Sequence, residues 1–319
     1  MKSAISWLKY LQKKLYQAKL NIVEEITWLT LKEPKIKGAI PHDAQIQNEI
    51  KSELKKNGYT VVDLWVDVQD YGRYLEKAEY HNYRFYYSGD NSRNLGEKTL
   101  EHYLAAKLLN LSSKDRYIDI ASSNSPVAEI YQKAFSCETY RLDLFSSQET
   151  KSNMIIGDAG NMPLKNGFAT KMALHCSFEH FEQDADIRFL KEANRVLCPG
   201  GKVCIIPLYL FNKYAIQTDP FAMLKANLNF EKDAILYLAK GYGNRQGRFY
   251  DVYHLTKRIR DNLGDFKLKL FFICNEREIN SSCYVKFAAI FEKAAYNRLR
   301  NKAAQVNSWG VNICSDNTD

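Results

Sequence analysis

Side chains able to bind or move protons recur at the ends of short apolar runs between Arg116 and Pro207. RYIDIASSNS carries Asp119 and then a turn of small residues, Ala121 to Ser125. TYRLDLF closes on Asp143, 24 residues further on. MIIGDAGNMPL places Asp158 after a third run, and MALHCSFEHF carries a fourth into His175, Cys176, Glu179 and His180. A carboxylate can accept from two neighbouring hydroxyls. An imidazole ordinarily titrates near neutrality and can take a proton from a reacting group. Small residues let a backbone approach a ligand closely. The same residues also admit structural roles: Asp119 and Asp143 as caps of the turns that follow, His175 as a satisfied buried histidine.

The elements that must position these groups follow from the apolar pattern. Runs of four to eight apolar residues alternate with helical stretches, which predicts a parallel sheet with crossover helices. Strands are expected at 116–120, 139–143, 153–157, 171–176 and 202–208, with helices at 97–110, from Pro126 and at 184–197. In such sheets ligands bind outside the carboxyl ends of the strands, near the switch point, where these acids and small residues fall. Residues 209–263 are longer than a simple crossover and include a helix near 252–262. KLKLFFICNE and CYVKFAAIFE read as a last antiparallel pair joined by a short turn, followed by a basic helix near 292–304 and a polar tail.

Upstream, residues 3–31 read as one long helix. Leu8, Leu11, Leu15, Ile22, Ile26 and Leu29 fall on one face, and residues 1–20 carry five lysines and no acid. That helix suits packing, dimerisation or contact with a membrane surface. NEIKSELKKNG reads as a short helix and YTVVDLWV as a strand. Residues 71–87 hold seven aromatics, expected as a hydrophobic seam or a pocket wall.

The stretch 116–207 resembles the class I S-adenosylmethionine-dependent methyltransferases, in particular the type 11 branch. The residues that carry the resemblance are GDAGNMPL, then EHF, then EANRVLCPGGKVCIIP, in family order and spacing. It implies a Rossmann-like fold: a seven-stranded, mostly parallel sheet with an antiparallel last strand between strands five and six, and helices on both faces. It implies S-adenosylmethionine as cofactor. Asp143 would hold the ribose, Asp158 and the backbone of Ala159 the adenine. Ala121, Ser122 and Ser123 would face the methionine moiety, Asp119 would bind the cofactor, and His175, Cys176 and Ser177 would lie beneath the sulfonium. His180, or else His175, would be the catalytic base; Tyr253 and His254 are more distant candidates. The family usually keeps glycine at three alternating positions after the first-strand acid, where Ala121, Ser123 and Ser125 stand here. The resemblance divides the chain into an N-terminal extension and aromatic cap (1–95), a methyltransferase domain (96–294, with 209–263 as acceptor cover), and a basic helix and tail (295–319).

The 319 residues are 45% hydrophobic and carry a net charge of +8. Residues 1–95 hold 15 Lys and Arg against 12 Asp and Glu, 96–207 hold 13 against 14, and 208–319 hold 17 against 11. The central stretch is thus near neutral, and the basic excess lies in the C-terminal third, at KRIR (257–260) and RLRNK (298–302). Seven cysteines show no metal-ligand spacing and predict free thiols in a reducing, cytoplasmic setting, with no metal site. No run approaches 18 apolar residues. The expected reaction is methyl transfer to a hydroxyl of a small polar acceptor, by analogy a sugar or glycan precursor. A non-catalytic binding domain and an RNA methyltransferase are the alternatives. Strand four ends in HCSF rather than the Asn/Asp-Pro-Pro-aromatic motif of many base N-methylases, which weighs against nucleic acid.

Overall fold

The computed structural model describes residues 2–83, 94–145, 153–225 and 228–295. In chain order the elements are α1 (Lys2–Thr30), β1 (Lys35–Lys37), α2 (Ala44–Lys56), β2 (Val61–Leu64), α3 (Val68–Ala78), α4 (Leu95–Leu109), β3 (Arg116–Ile120) and α5 (Val127–Phe135). They continue with β4 (Glu138–Asp143), β5 (Met154–Ile156), β6 (Ala169–His175), α6 (Ala185–Val196), β7 (Leu197–Ile206), β8 (Ala215–Thr218), α7 (Pro220–Lys225) and β9 (Ile235–Leu238). The last are β10 (Gly247–Phe249), α8 (Val252–Arg258), β11 (Phe266–Ile273), α9 (Glu276–Ile279) and β12 (Phe287–Lys293).

The central sheet has the order β2-β11-β12-β7-β6-β3-β4-β5. Every strand is parallel to the rest except β12, antiparallel to both β11 and β7. The seven expected strands are all present, with the last inserted between the fifth and sixth. An eighth is added by the N-terminal region: β2 pairs in parallel with β11. The connection before β12 is not a short turn; residues 274–286 intervene and include α9. Side chains alternate between two cores. Ile118, Met172, Leu174, Val203 and Ile205 face the side of α2, α6 and α8. Tyr117, Ala173, Cys204 and Ile206 face the side of α3, α4 and α5. Burial on both faces explains why these strands read as unbroken apolar runs.

Local chemistry sets the helix ends. Asp43 caps α2 by accepting from the backbone N–H of Gln45 and Ile46, and Asp67 caps α3 through Gln69 and Asp70. Asn110 ends α4 in the left-handed conformation. In the Pro-Gly-Gly turn inside β7, Gly200 has φ +79°, which a side chain would strain.

Residues 207–265 contain a second sheet, order β1-β9-β8-β10, in which β1 comes from the N-terminal region. Its strands are only three or four residues long, too short to announce a period in the sequence. A buried ionic cluster joins this segment to the core. Arg248 and Asp186 are both fully buried, with Arg248 Nη1 3.0 Å from Asp186 Oδ2. Arg258 Nη2 lies 2.7 Å from Asp186 Oδ1, Tyr250 donates to Oδ2 at 2.7 Å, and Glu231 completes the pairing of Arg248.

Helix α1 packs along α7, with Leu20, Val23 and Thr27 buried. The apolar face read from the sequence points outward. Leu8, Leu15, Ile22, Ile26 and Leu29 are all exposed, and Leu11 is half-buried. Of the aromatic stretch, Tyr71 and Tyr74 form a seam with Tyr103 at ring distances of 5.3 and 5.6 Å. Phe85, Tyr86 and Tyr87, and the expected basic helix and tail from 296 onward, lie outside the described residues.

Candidate active site

Strand order reverses between β3 and β6: the chain moves from β3 outward to β4 and β5, then back to β6 on the other side. At that switch point the loops after β3 and β6 part and leave a crevice. It opens into a cavity of about 470 Å³, within the usual range for a small-molecule site.

Its floor is the loop after β3. Ala121 and Ser123 take left-handed φ values of +53° and +47°. The backbone shape that glycine favours is thus present with small side chains. Asp143, at the end of β4, holds the loop: its Oδ2 accepts from Ser123 N at 2.7 Å and its Oδ1 from Phe145 N at 3.3 Å. Asp119 is buried beneath. Burial pushes its carboxyl up to about 8, with Arg141 opposing the shift.

The β6 side supplies His175, Cys176, Glu179 and His180. His175 Nε2 meets the Tyr117 hydroxyl at 3.2 Å, and burial lowers its pKa to about 3, so the ring is neutral. Cys176 has φ +48° and donates through Sγ to Glu101 Oε1 at 3.1 Å. His180 Nδ1 lies 2.5 Å from the Gln246 carbonyl oxygen. A carbonyl only accepts, so Nδ1 bears the hydrogen in this contact. Glu179 Oε1 is 3.5 Å from His180 Nε2, and burial raises the Glu179 carboxyl above its ordinary range, with His180 opposing.

Four buried polar atoms on cavity-lining residues have no hydrogen-bond partner among the described residues: Asp119 Oδ2, Ser122 Oγ, His175 Nδ1 and Glu179 Oε2. Unpaired buried polar groups are costly. Together with the small, tightly turned 121–123 loop, they fit a polar ligand such as S-adenosylmethionine.

The residues singled out in the sequence do not all meet. Asp119, Ala121, Ser122, Ser123, His175, Cys176 and His180 line the cavity, whereas Asp143, Asp158 and Ala159 do not. Asp158 accepts from Gly160 N and pairs with Arg188 at 2.8 Å, while Ala159 is buried in the core. His254 lies apart, between Asp251 and Asp233 and stacked on Tyr214. Other lining residues escaped the sequence reading. Lys98 and His102 come from α4, Tyr209, Tyr242 and Asn244 from the segment after β7, and Tyr284 from the connection before β12. The signal lies in the fold: α4 is buried nearly all round yet contains Glu97, Glu101 and His102. Polar groups in such a helix need partners or a ligand. Among the described residues no group of three or more His, Cys, Asp or Glu is arranged to hold a metal ion.

Residues 118–205, from β3 through β7, match a family model described as a methyltransferase domain. The fold is similar to that of solved structures. One is the 1,6-didemethyltoxoflavin-N1-methyltransferase of Burkholderia thailandensis with bound 1,6-didemethyltoxoflavin and S-adenosylhomocysteine (11% identity, 72% of this chain and 91% of that one, TM-score 0.42). Another is a SAM-dependent methyltransferase from Thermotoga maritima (16%, 69% and 98%, TM-score 0.40). A third is a SAM-dependent methyltransferase from Methanosarcina mazei (14%, 58% and 95%, TM-score 0.36). No curated protein sequence matches the chain.

Proposed function

We propose that this Rossmann-like chain, with its methyltransferase domain at 118–205, methylates a hydroxyl of a small polar acceptor, a sugar or glycan precursor, and that His180 takes the proton. The observation that carries the reading is the contact of His180 Nδ1 with the Gln246 carbonyl, 2.5 Å away at the cavity wall. With Nδ1 committed to that carbonyl, Nε2 is the ring nitrogen left to take a proton. When bound, S-adenosylmethionine supplies an electrophilic methyl group on a sulfonium. The chain must then align the acceptor oxygen and accept its proton. Ala121, Ser122, Ser123 and Asp119 are the residues that would hold the methionine moiety; Asp143, outside the cavity lining, is kept for the ribose on the resemblance. Asp158 and Ala159 are retained for the adenine, on the resemblance alone. His175 is a poor base because burial keeps it neutral far below physiological pH.

Glu179 sits where its carboxyl can steady the imidazolium formed when Nε2 gains a proton. Burial pushes the phenols of Tyr209, Tyr242 and Tyr284 up, so they stay neutral hydrogen-bonding groups beside the Asn244 amide. Such neutral groups suit a hydroxyl-rich acceptor. The basic KRIR segment offers little to RNA: Arg258 is paired with Asp186, Ile259 is buried and Arg260 lies 4.7 Å over Tyr59.

The test begins with calorimetric titration of S-adenosylmethionine; no binding would leave the chain as a structural domain. Sugars and small phenols are then screened for release of S-adenosylhomocysteine. His180→Ala is expected to lower turnover by roughly 10²–10⁴-fold, the usual worth of a general base, with cofactor affinity nearly unchanged. Full turnover in that variant would move the base elsewhere.

A further inference from the structure

We propose that the exposed face of α1 lies on an anionic lipid surface. Trp7, Leu8, Leu15, Ile22, Ile26 and Leu29 fall within an arc of roughly 100° at helical periodicity. Their exposure is high: 63% for Trp7, 67% for Leu15, 61% for Ile22 and 80% for Leu29. This stripe is opposite the face that holds the helix to the protein, where Leu20, Val23 and Thr27 are buried. The stripe is therefore not packing surface left over at a helix edge. It is a second apolar face directed away from the body, and such contiguous exposed patches mark interaction sites.

Charge selects the occupant. The first 20 residues contain five lysines and no acid. Helical periodicity puts Lys14 and Lys19 along the two borders of the stripe, with Lys9 and Lys13 behind. The acids further along α1 are already matched: Glu24 is 3.1 Å from Lys240, and Glu25 pairs with Lys37 at 2.5 Å. No carboxylate among the described residues pairs with Lys9, Lys13, Lys14 or Lys19. A second copy docked face to face would bring two lysine-rich helices together with no free acid on either to offset them. An anionic bilayer meets both requirements, accepting Trp7 and the aliphatic stripe at the headgroup boundary and placing lipid phosphates beside the bordering Lys14 and Lys19. No described helix is long and apolar enough to cross a membrane, so the contact is in the interface plane.

The experiment floats the full chain with vesicles of phosphatidylcholine alone and of phosphatidylcholine containing about a third phosphatidylglycerol. Binding to the anionic vesicles is expected to be at least about tenfold greater and to weaken steeply with added salt. The double variant Leu15→Ser, Ile22→Ser removes the apolar stripe at exposed positions; it is expected to keep its circular dichroism and lose flotation. Lys14→Glu with Lys19→Glu is expected to lose the preference for anionic lipid. Absence of flotation, equal flotation on both vesicles, or full flotation of the Leu15 and Ile22 variant overturns the proposal. So does a dimer, seen by light scattering, that the same variant disperses while the native chain ignores vesicles; the face would then belong to a second copy.

Discussion

Ala121 and Ser123 hold a left-handed backbone where glycine would carry no penalty. The Asp143 carboxylate bonded to Ser123 N helps to keep the loop in that shape. Ala121→Gly is expected to stabilise the chain by up to about 1 kcal/mol, because relief of the Cβ contact exceeds the added freedom of the unfolded chain. A urea midpoint reads this directly, and a lowered midpoint would mean that the Ala121 methyl group packs rather than strains. Asp119 makes a pH-dependent contribution. Its folded pKa is raised from 3.8 to about 8 by burial. The folded state therefore binds the proton more tightly than the unfolded state. The stability this contributes is full below about pH 4 and is lost as pH rises through about 8. Asp119→Asn is expected to flatten that loss in the ligand-free protein, seen as a smaller fall in urea midpoint between acidic and alkaline buffer. An unchanged slope would show that Asp119 is already ionised.

Elements meet at the site through a few buried polar joints. Asp186, in the first turn of α6, receives Arg248 from β10, Arg258 from α8 and the Tyr250 hydroxyl. This joint fixes the segment 207–265 against the core, and with it Tyr242 and Asn244 over the cavity. Removing one member of a buried ionic group strands the others without compensation. Asp186→Ala is expected to cost about 3–5 kcal/mol in urea unfolding. A loss below about 1 kcal/mol would mean that water or Glu231 satisfies the arginines equally well. The arrangement of α4 follows the same logic: Glu101 accepts from Cys176 and pairs with Lys98 at 3.0 Å, tying the helix to the end of β6.

The molecule as a whole is laced together by its N-terminal region. β1 joins the second sheet beside β9, while β2 extends the central sheet beside β11. The region thus pairs with segments about 200 residues away in the chain, at Leu236 and Leu270. These pairings connect the two sheets independently of the Asp186 joint. They leave α1 held along α7 and the Lys240 neighbourhood, with its other face directed outward.

The order of strands and helices from 95 to 206 was legible in the amino-acid sequence for a physical reason. Central parallel strands are buried on both faces and must be apolar throughout, and polar residues concentrate where they end. The antiparallel last strand, the turn at Gly200 and the cavity-lining loops after β3 and β6 came with that pattern and the family resemblance it carries. The cavity walls from Lys98, Tyr209, Tyr242, Asn244 and Tyr284 were decided by tertiary structure alone. Their chain positions are far apart, and nothing local in a tyrosine or an asparagine says what it will face. The same holds for α1. Its periodicity shows that an apolar face exists, but which face is covered depends on Leu20 and Val23 meeting the body, leaving Leu15 and Ile22 exposed. Helical periodicity is a property of the segment; burial is a property of what packs against it.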